Sequence, residues 1–152
     1  MSAAQGYLLD TNIVLHATRE KSPVSLAVEA QFQLLSSPFR PTICEVTVAE
    51  LWAFAQSWGE RRKGLLRRTI DDLLVLPIND ARIHQRWAEL YSHAKSNGMA
   101  IQHDHNDVWI AATAHVAGLK LLSTDNAAFL PLRGTAWVDV VVLDPKTGII
   151  VP

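Results

Sequence analysis

Short apolar runs alternate with longer stretches of helical periodicity along the 152-residue chain, and this alternation restricts the fold more than any other feature. The runs Gly6–Leu9, Thr42–Cys44, Leu74–Pro77, Lys120–Ser123 and Val138–Leu143 are bounded by turn or polar residues and read as strands. Helices are expected at Thr11–Ala17, Pro23–Leu35, Glu45–Trp58, Arg61–Leu73, Asp80–Ser96 and Asp104–Ala117. The last of these closes on Gly118, and a further short turn is expected at Asn126–Leu130. Strands that alternate with helices imply a parallel sheet covered on both faces. No linker rich in Gly, Pro or Ser and no internal repeat divides the chain, so residues 1–152 are expected to form one α/β domain with a single sizeable core.

Against that pattern four carboxylates stand out. Asp10 closes the apolar run Tyr7-Leu8-Leu9, and Asp125 closes Leu121-Leu122-Ser123-Thr124. Glu50 shares a helical face with Val46, Ala53 and Phe54, and Asp107 shares one with Ile110, Ala111 and Ala114. In an open parallel sheet, ligands bind beyond the carboxyl ends of the strands, where the strand order reverses. Asp10 and Asp125 leave strands at that edge, and the helices carrying Glu50 and Asp107 start near it. Four acids from four segments are thus expected to converge on one pocket. Charges held close to a core cost several kcal/mol unless something positive meets them, and no Lys or Arg adjoins any of the four in sequence. Structural readings stand beside this one: Asp10 and Asp125 suit helix N-caps, and Asp104 with Asp107 suits a capping pair matched to the helix dipole. Glu50, a full turn inside its helix, has the weakest structural excuse.

An all-oxygen acidic cluster suits a hard cation, Mg²⁺ or Mn²⁺. Such an ion acidifies water and offsets charge on a phosphodiester under attack. Asn12 and Ser123 sit beside the acids, where they would orient carboxylates; Thr124 reads equally well as a turn residue. The net charge is −1, so any polyanion would be held by a local patch rather than by the whole molecule. The one cysteine, Cys44, forms no internal disulfide and suits a reducing cytoplasm. Met1–Gln5 carries no basic run or long apolar segment, so no signal peptide is expected, and no run approaches a membrane span.

Asp10-Thr11-Asn12 after an apolar strand, Ala49-Glu50-Leu51, the string Asn106-Asp107-Val108-Trp109-Ile110-Ala111-Ala112-Thr113-Ala114, and Ser123-Thr124-Asp125 before Phe129 together resemble a PIN domain. More narrowly they resemble the VapC toxins of bacterial and archaeal toxin–antitoxin pairs, over about residues 6–143. That resemblance implies a three-layer α/β/α fold around a parallel sheet of about five strands. It implies Asp10, Glu50, Asp107 and Asp125 as metal ligands and catalytic residues, with Ser123 and Asn12 supporting them. It also implies Mg²⁺- or Mn²⁺-dependent endoribonuclease activity on RNA, a homodimer, and silencing by a cognate antitoxin. Many relatives have a serine where this chain has Cys44, so a capping hydroxyl is missing here. Glu45 is an extra acid at that helix start, expected to act on the helix dipole, and Asp104 is a possible fifth acid at the site.

The densest basic segment, Arg61, Arg62, Lys63, Arg67 and Arg68, makes no clean stripe on a helical wheel and reads first as a solvated face, second as a groove lip for RNA or antitoxin. Arg19, Lys21, Arg40 and Arg133 are candidates to approach the acidic edge. His103 and His105 read as exposed loop histidines, and Trp52, Trp87 and Trp109 as packing residues. A haloacid dehalogenase-type phosphatase would need an acid where Asn12 stands, and a receiver domain would need one near Asn79. A housekeeping nuclease of the same fold, or an inactive PIN-like binding module, is the remaining alternative.

Overall fold

The computed structural model describes residues 6–19, 21–34 and 40–152. Its strands are β1 (Tyr7–Leu9), β2 (Thr42–Cys44), β3 (Leu74–Leu76), β4 (Lys120–Ser123) and β5 (Val140–Val142). Its α-helices are α1 (Thr11–Ala17), α2 (Pro23–Phe32), α3 (Glu45–Ala55), α4 (Glu60–Asp71), α5 (Ala81–Ser96), α6 (His105–Ala117) and α7 (Asn126–Phe129). The five strands form one parallel sheet in the order β3-β2-β1-β4-β5. The order reverses between β1 and β4, where Leu9 pairs with Leu122.

Alternation along each strand sorts the core into two layers. Leu8, Cys44, Leu121, Val140 and Val142 pack against α5, α6 and α7 through Leu90, Ala94, Val108, Ala111 and Phe129. Leu9, Ile43 and Leu122 face the other way, against Ile13 and Val14 of α1, Val24 and Val28 of α2, Leu51 of α3 and Leu66 of α4. The result is the expected α/β/α sandwich. No helix among the described residues is long and apolar enough to cross a membrane.

Several boundaries differ from the sequence expectation for identifiable reasons. Helix α2 ends at Phe32 because Gln33 adopts a left-handed conformation (φ 52°); Leu35 and the N-terminal segment Met1–Gln5 lie outside the described residues. Pro77 has no N–H to continue the ladder, so β3 stops at Leu76. Helix α3 stops at Ala55, which leaves Trp58 in the turn before α4. Two 3-10 turns, Ala100–His103 and Leu130–Leu132, have no apolar periodicity to announce them.

Candidate active site

Asp10 follows β1 without a break, and its amide still donates to the Leu122 carbonyl of β4 at 2.9 Å. This holds the residue at the reversal point of the sheet. Its extended backbone makes it the N-cap of α1, with Oδ1 accepting from Thr11 N at 2.8 Å. The Ser123 hydroxyl donates to its Oδ2 at 2.6 Å and in turn accepts from the Asp125 amide at 2.9 Å. One serine at the end of β4 therefore ties the two aspartates together. Asp125 lies two residues beyond the end of β4 and caps α7 by accepting from Ala128 N at 3.1 Å.

Glu50 reaches the same place by another route. The Thr11 hydroxyl donates to Glu50 Oε1 at 2.7 Å and sits 3.1 Å from the Thr47 hydroxyl. The sequence reading put Glu50 in line with a buried apolar stripe, and this is corrected: Ala53 and Phe54 are exposed, Phe54 by 53%. The buried positions of α3 are Thr47, Leu51 and Ala55. Glu50 occupies the border of that stripe, half-buried, where its carboxylate turns toward α1. Asp107 lies in the first turn of α6, on the face that buries Ile110, Ala111 and Ala114, as expected.

The electrostatics follow from this placement. Asp10 is 3% exposed and Asp107 is 8% exposed. Burial pushes the Asp10 carboxyl up to about 6, helped by the charges of Glu50 and Asp125, against the opposing pull of its Ser123 and Thr11 hydrogen bonds. Burial pushes Asp107 up to about 8, and the charges of Asp10, Asp104, Asp125 and Glu50 add to the effect. Among the described residues no Lys or Arg pairs with any of the four acids, and no hydrogen bond reaches the Asp107 carboxylate. The four segments thus share one electrostatic field. As placed, no three His, Cys, Asp or Glu side chains among the described residues close to the spacing of a ready-made metal cage.

The capping readings are correct as geometry. Asp10, Asp104 and Asp125 all cap helices. A cap engages only part of a carboxylate's acceptor capacity, however. Asp125 Oδ2, Glu50 Oε2 and both Asp107 oxygens accept no hydrogen bond among the described residues. The donor set is all oxygen, its charges are uncompensated, and it fits a hard divalent cation.

A family model for the PIN domain matches residues 7–131. The chain belongs to the PIN domain family. Ribonuclease VapC2 of Haemophilus influenzae is 29% identical over 140 residues, which span 87% of this chain and 98% of that protein. Ribonuclease VapC5 of Mycobacterium tuberculosis is 30% identical over 100 residues, 66% of this chain and 70% of that one. Among solved structures, FitAcB from Neisseria gonorrhoeae superposes with a TM-score of 0.68 at 25% identity, covering 88% of this chain and 95% of its own. DNA-bound VapBC from Salmonella typhimurium shares the fold with a TM-score of 0.72 at 21% identity, covering 90% and 97%.

Around the acids, this PIN domain departs from the sequence reading at several residues. Asn12 lines a groove beside Asp125 and makes no hydrogen bond to the four acids among the described residues. Thr11 and Thr47, not singled out in the sequence, connect α1 to Glu50; the one signal was that both are Thr on helix faces that also carry or follow an acid. Cys44 caps α3 without a side-chain bond, as its missing hydroxyl implies, and its Sγ lies 3.5 Å from Thr113 Oγ1 of α6. Glu45 accepts from Ile78 N at 2.7 Å and so ties α3 to the segment after β3. Arg40 precedes β2, at the opposite sheet edge, and donates to the Asp71 and Asp72 carbonyls. Arg133 holds the Val151 and Pro152 carbonyls. Of the four single cations considered, Arg19 is the one that lines the groove beside Asp125. His105 opens α6 rather than sitting in a loop, with its ring edge-on to Trp87 and Tyr91, and Trp87 packs on Trp109.

Proposed function

We propose that this chain, one PIN-like domain over residues 1–152, is an endoribonuclease that hydrolyses RNA phosphodiester bonds with Mg²⁺ or Mn²⁺ held by Asp10, Glu50, Asp107 and Asp125. The observation that carries this reading is the convergence of four uncompensated carboxylates on the β1–β4 edge, two of them buried and shifted upward. When bound there, a hard divalent ion supplies an acidified water and draws charge from the phosphate under attack.

The chain's own residues prepare the site. Ser123 fixes Asp10 and positions the Asp125 amide, so the two acids at the strand ends keep one relative orientation. Thr11 holds Glu50 toward Asp10. Asp107, with no hydrogen bond of its own among the described residues, is the carboxylate most freely offered to a ligand. Leu9 and Leu122, which precede Asp10 and Ser123, are buried, and a dry surrounding strengthens the charge interactions beside it.

The similarity to the VapC ribonucleases and VapBC complexes supports a toxin role in the cytoplasm, with a cognate antitoxin as partner and a homodimer as the assembly. The test is cleavage of single-stranded RNA by the purified chain with Mn²⁺, beside Asp10→Asn. The substitution should lower the rate by on the order of 10³-fold, as loss of one preorganised electrostatic group does. Equal cutting by both proteins, or none by the wild type, overturns the nuclease reading. Growth arrest on expression, relieved by the same substitution, distinguishes a toxin from a housekeeping nuclease.

A further inference from the structure

Two neighbouring grooves share Arg19. One runs past Asp125 and is lined by Asn12, His16, Arg19, Asp125 and Asn126. The other continues away from them and is lined by Thr18, Arg19, Arg62, Leu65 and Arg68. A surface track therefore leads from Asp125 at the β1–β4 edge, over the end of α1, to α4.

On this track Arg19 and Arg68 are exposed, and Arg62 is held beside them by contacts within the fold. Arg62 is half-buried, its guanidinium lies 3.5 Å from the Trp58 ring centroid, and its Nη2 donates to the Thr18 hydroxyl at 3.3 Å. Its Nε is buried and meets no acceptor. Burial and the neighbouring Arg19 charge push the Arg62 guanidinium below its ordinary value. Among the described residues, neither Arg19, Arg62 nor Arg68 pairs with a carboxylate. Two like charges brought together without a counter-ion disfavour the fold, and a guanidinium held over an indole loses little further freedom when it binds. In the first groove, the buried Oδ1 of Asn126 likewise lacks a donor. A single strand of RNA suits the cations of this track, because its phosphates match the arginine forks.

We propose that Arg19, Arg62 and Arg68 hold the phosphates of the RNA strand that flanks the cut bond, guiding it along α1 and α4 into the acidic edge. This deepens the nuclease reading and rests on it for the identity of the strand. An acidic protein segment is the rival occupant. The strand is favoured because the two grooves share Arg19 and the first of them reaches Asp125, and a chain cut at one end of a groove must continue along it.

The test measures binding of a short labelled single-stranded RNA by anisotropy, in chelator so that nothing is cut, across a salt series. Arg19→Gln and Arg62→Gln should each weaken binding about tenfold, the lower end for a charged hydrogen bond. Each should also flatten the slope of log K against log salt by about 0.7. Arg62→Lys should restore part of the slope, and Arg82→Gln, on the far side of the molecule and paired with Asp80, should change neither quantity. Unchanged affinity and slope in both Gln variants overturn the track. So does lost affinity with an intact slope and a lowered Tm, which marks a structural role; Arg19, exposed and without hydrogen-bonding duties, keeps the question answerable if Arg62→Gln misfolds. Binding loss confined to an antitoxin peptide assigns the surface to a protein and overturns the proposal. If the wild type binds RNA through these arginines but never cuts it with Mn²⁺, the nuclease reading fails and the track survives. If both variants cut subsaturating RNA like the wild type, the reverse holds.

Discussion

Asp10 and Asp107 on one side of the molecule, and Asp80 and Asp144 on others, are the same residue in opposite circumstances. Asp80 is half-buried, caps α5, and receives two bonds from the Arg82 guanidinium, which hold its carboxyl down to about 2. Asp144 is held below its ordinary value by backbone donors from Thr147 and Lys146. Asp10 and Asp107 are pushed up instead, by burial first and by each other's neighbours second. The chain thus satisfies carboxylates where arginine or backbone N–H groups are at hand. At the β1–β4 edge it gathers several and leaves the charge unmet. That contrast is what marks the edge as built for something the polypeptide does not itself contain.

The contrast breaks most sharply in stability. Asp10 and Asp107 titrate higher in the folded chain than the ordinary 3.8, so between those values the folded state holds more protons than the unfolded one. In chelator, their contribution is fully present below about pH 4 and is lost as pH climbs through about 6 and then about 8. Asp107→Asn should therefore stabilise the ion-free protein at pH 8, by on the order of 4 kcal/mol, while abolishing cleavage. Denaturant unfolding at pH 5 and pH 8 checks this; a substitution that destabilises equally at both sinks the account.

A smaller effect should come from the ion itself. Mn²⁺ at about a hundredfold excess over its dissociation constant should add about 2.7 kcal/mol to the wild type, and little to Asp107→Asn. Thermal melts with and without the ion compare the two. Smaller still is Ser123→Ala. It removes the bond that lowers Asp10, so the acid limb of the cleavage profile should move to higher pH, with a rate loss of about tenfold for one charged hydrogen bond. Least of all is Asp80→Asn, at a carboxylate the fold already satisfies: RNA cleavage assayed in parallel should match the wild type.

Much of this site was legible because strand ends and caps are local. Tyr7-Leu8-Leu9-Asp10 and Leu122-Ser123-Thr124-Asp125 each announce a strand that stops on an acid, and a parallel sheet sends both stops to one edge. Asp107 was legible from the stripe Ile110, Ala111 and Ala114. Glu50 was found for a reason that did not hold, because Ala53 and Phe54 face solvent and its tie is to Thr11, a contact between residues 39 positions apart. No periodicity encodes that distance. The cationic track was legible only as a second choice, for a similar cause. Arg61 to Arg68 form no stripe on their own helix, and Arg62 becomes part of a surface only when α1 brings Arg19 and Thr18 beside it.

Cys44 gives the molecule an internal clock. It is the chain's single thiol, fully buried, pushed up by that burial, and wedged between the start of α3 and Thr113 of α6. Those two helices carry Glu50 and Asp107. A thiol reagent reaches Cys44 only when they separate, so the rate of its labelling counts how often the acidic edge comes apart.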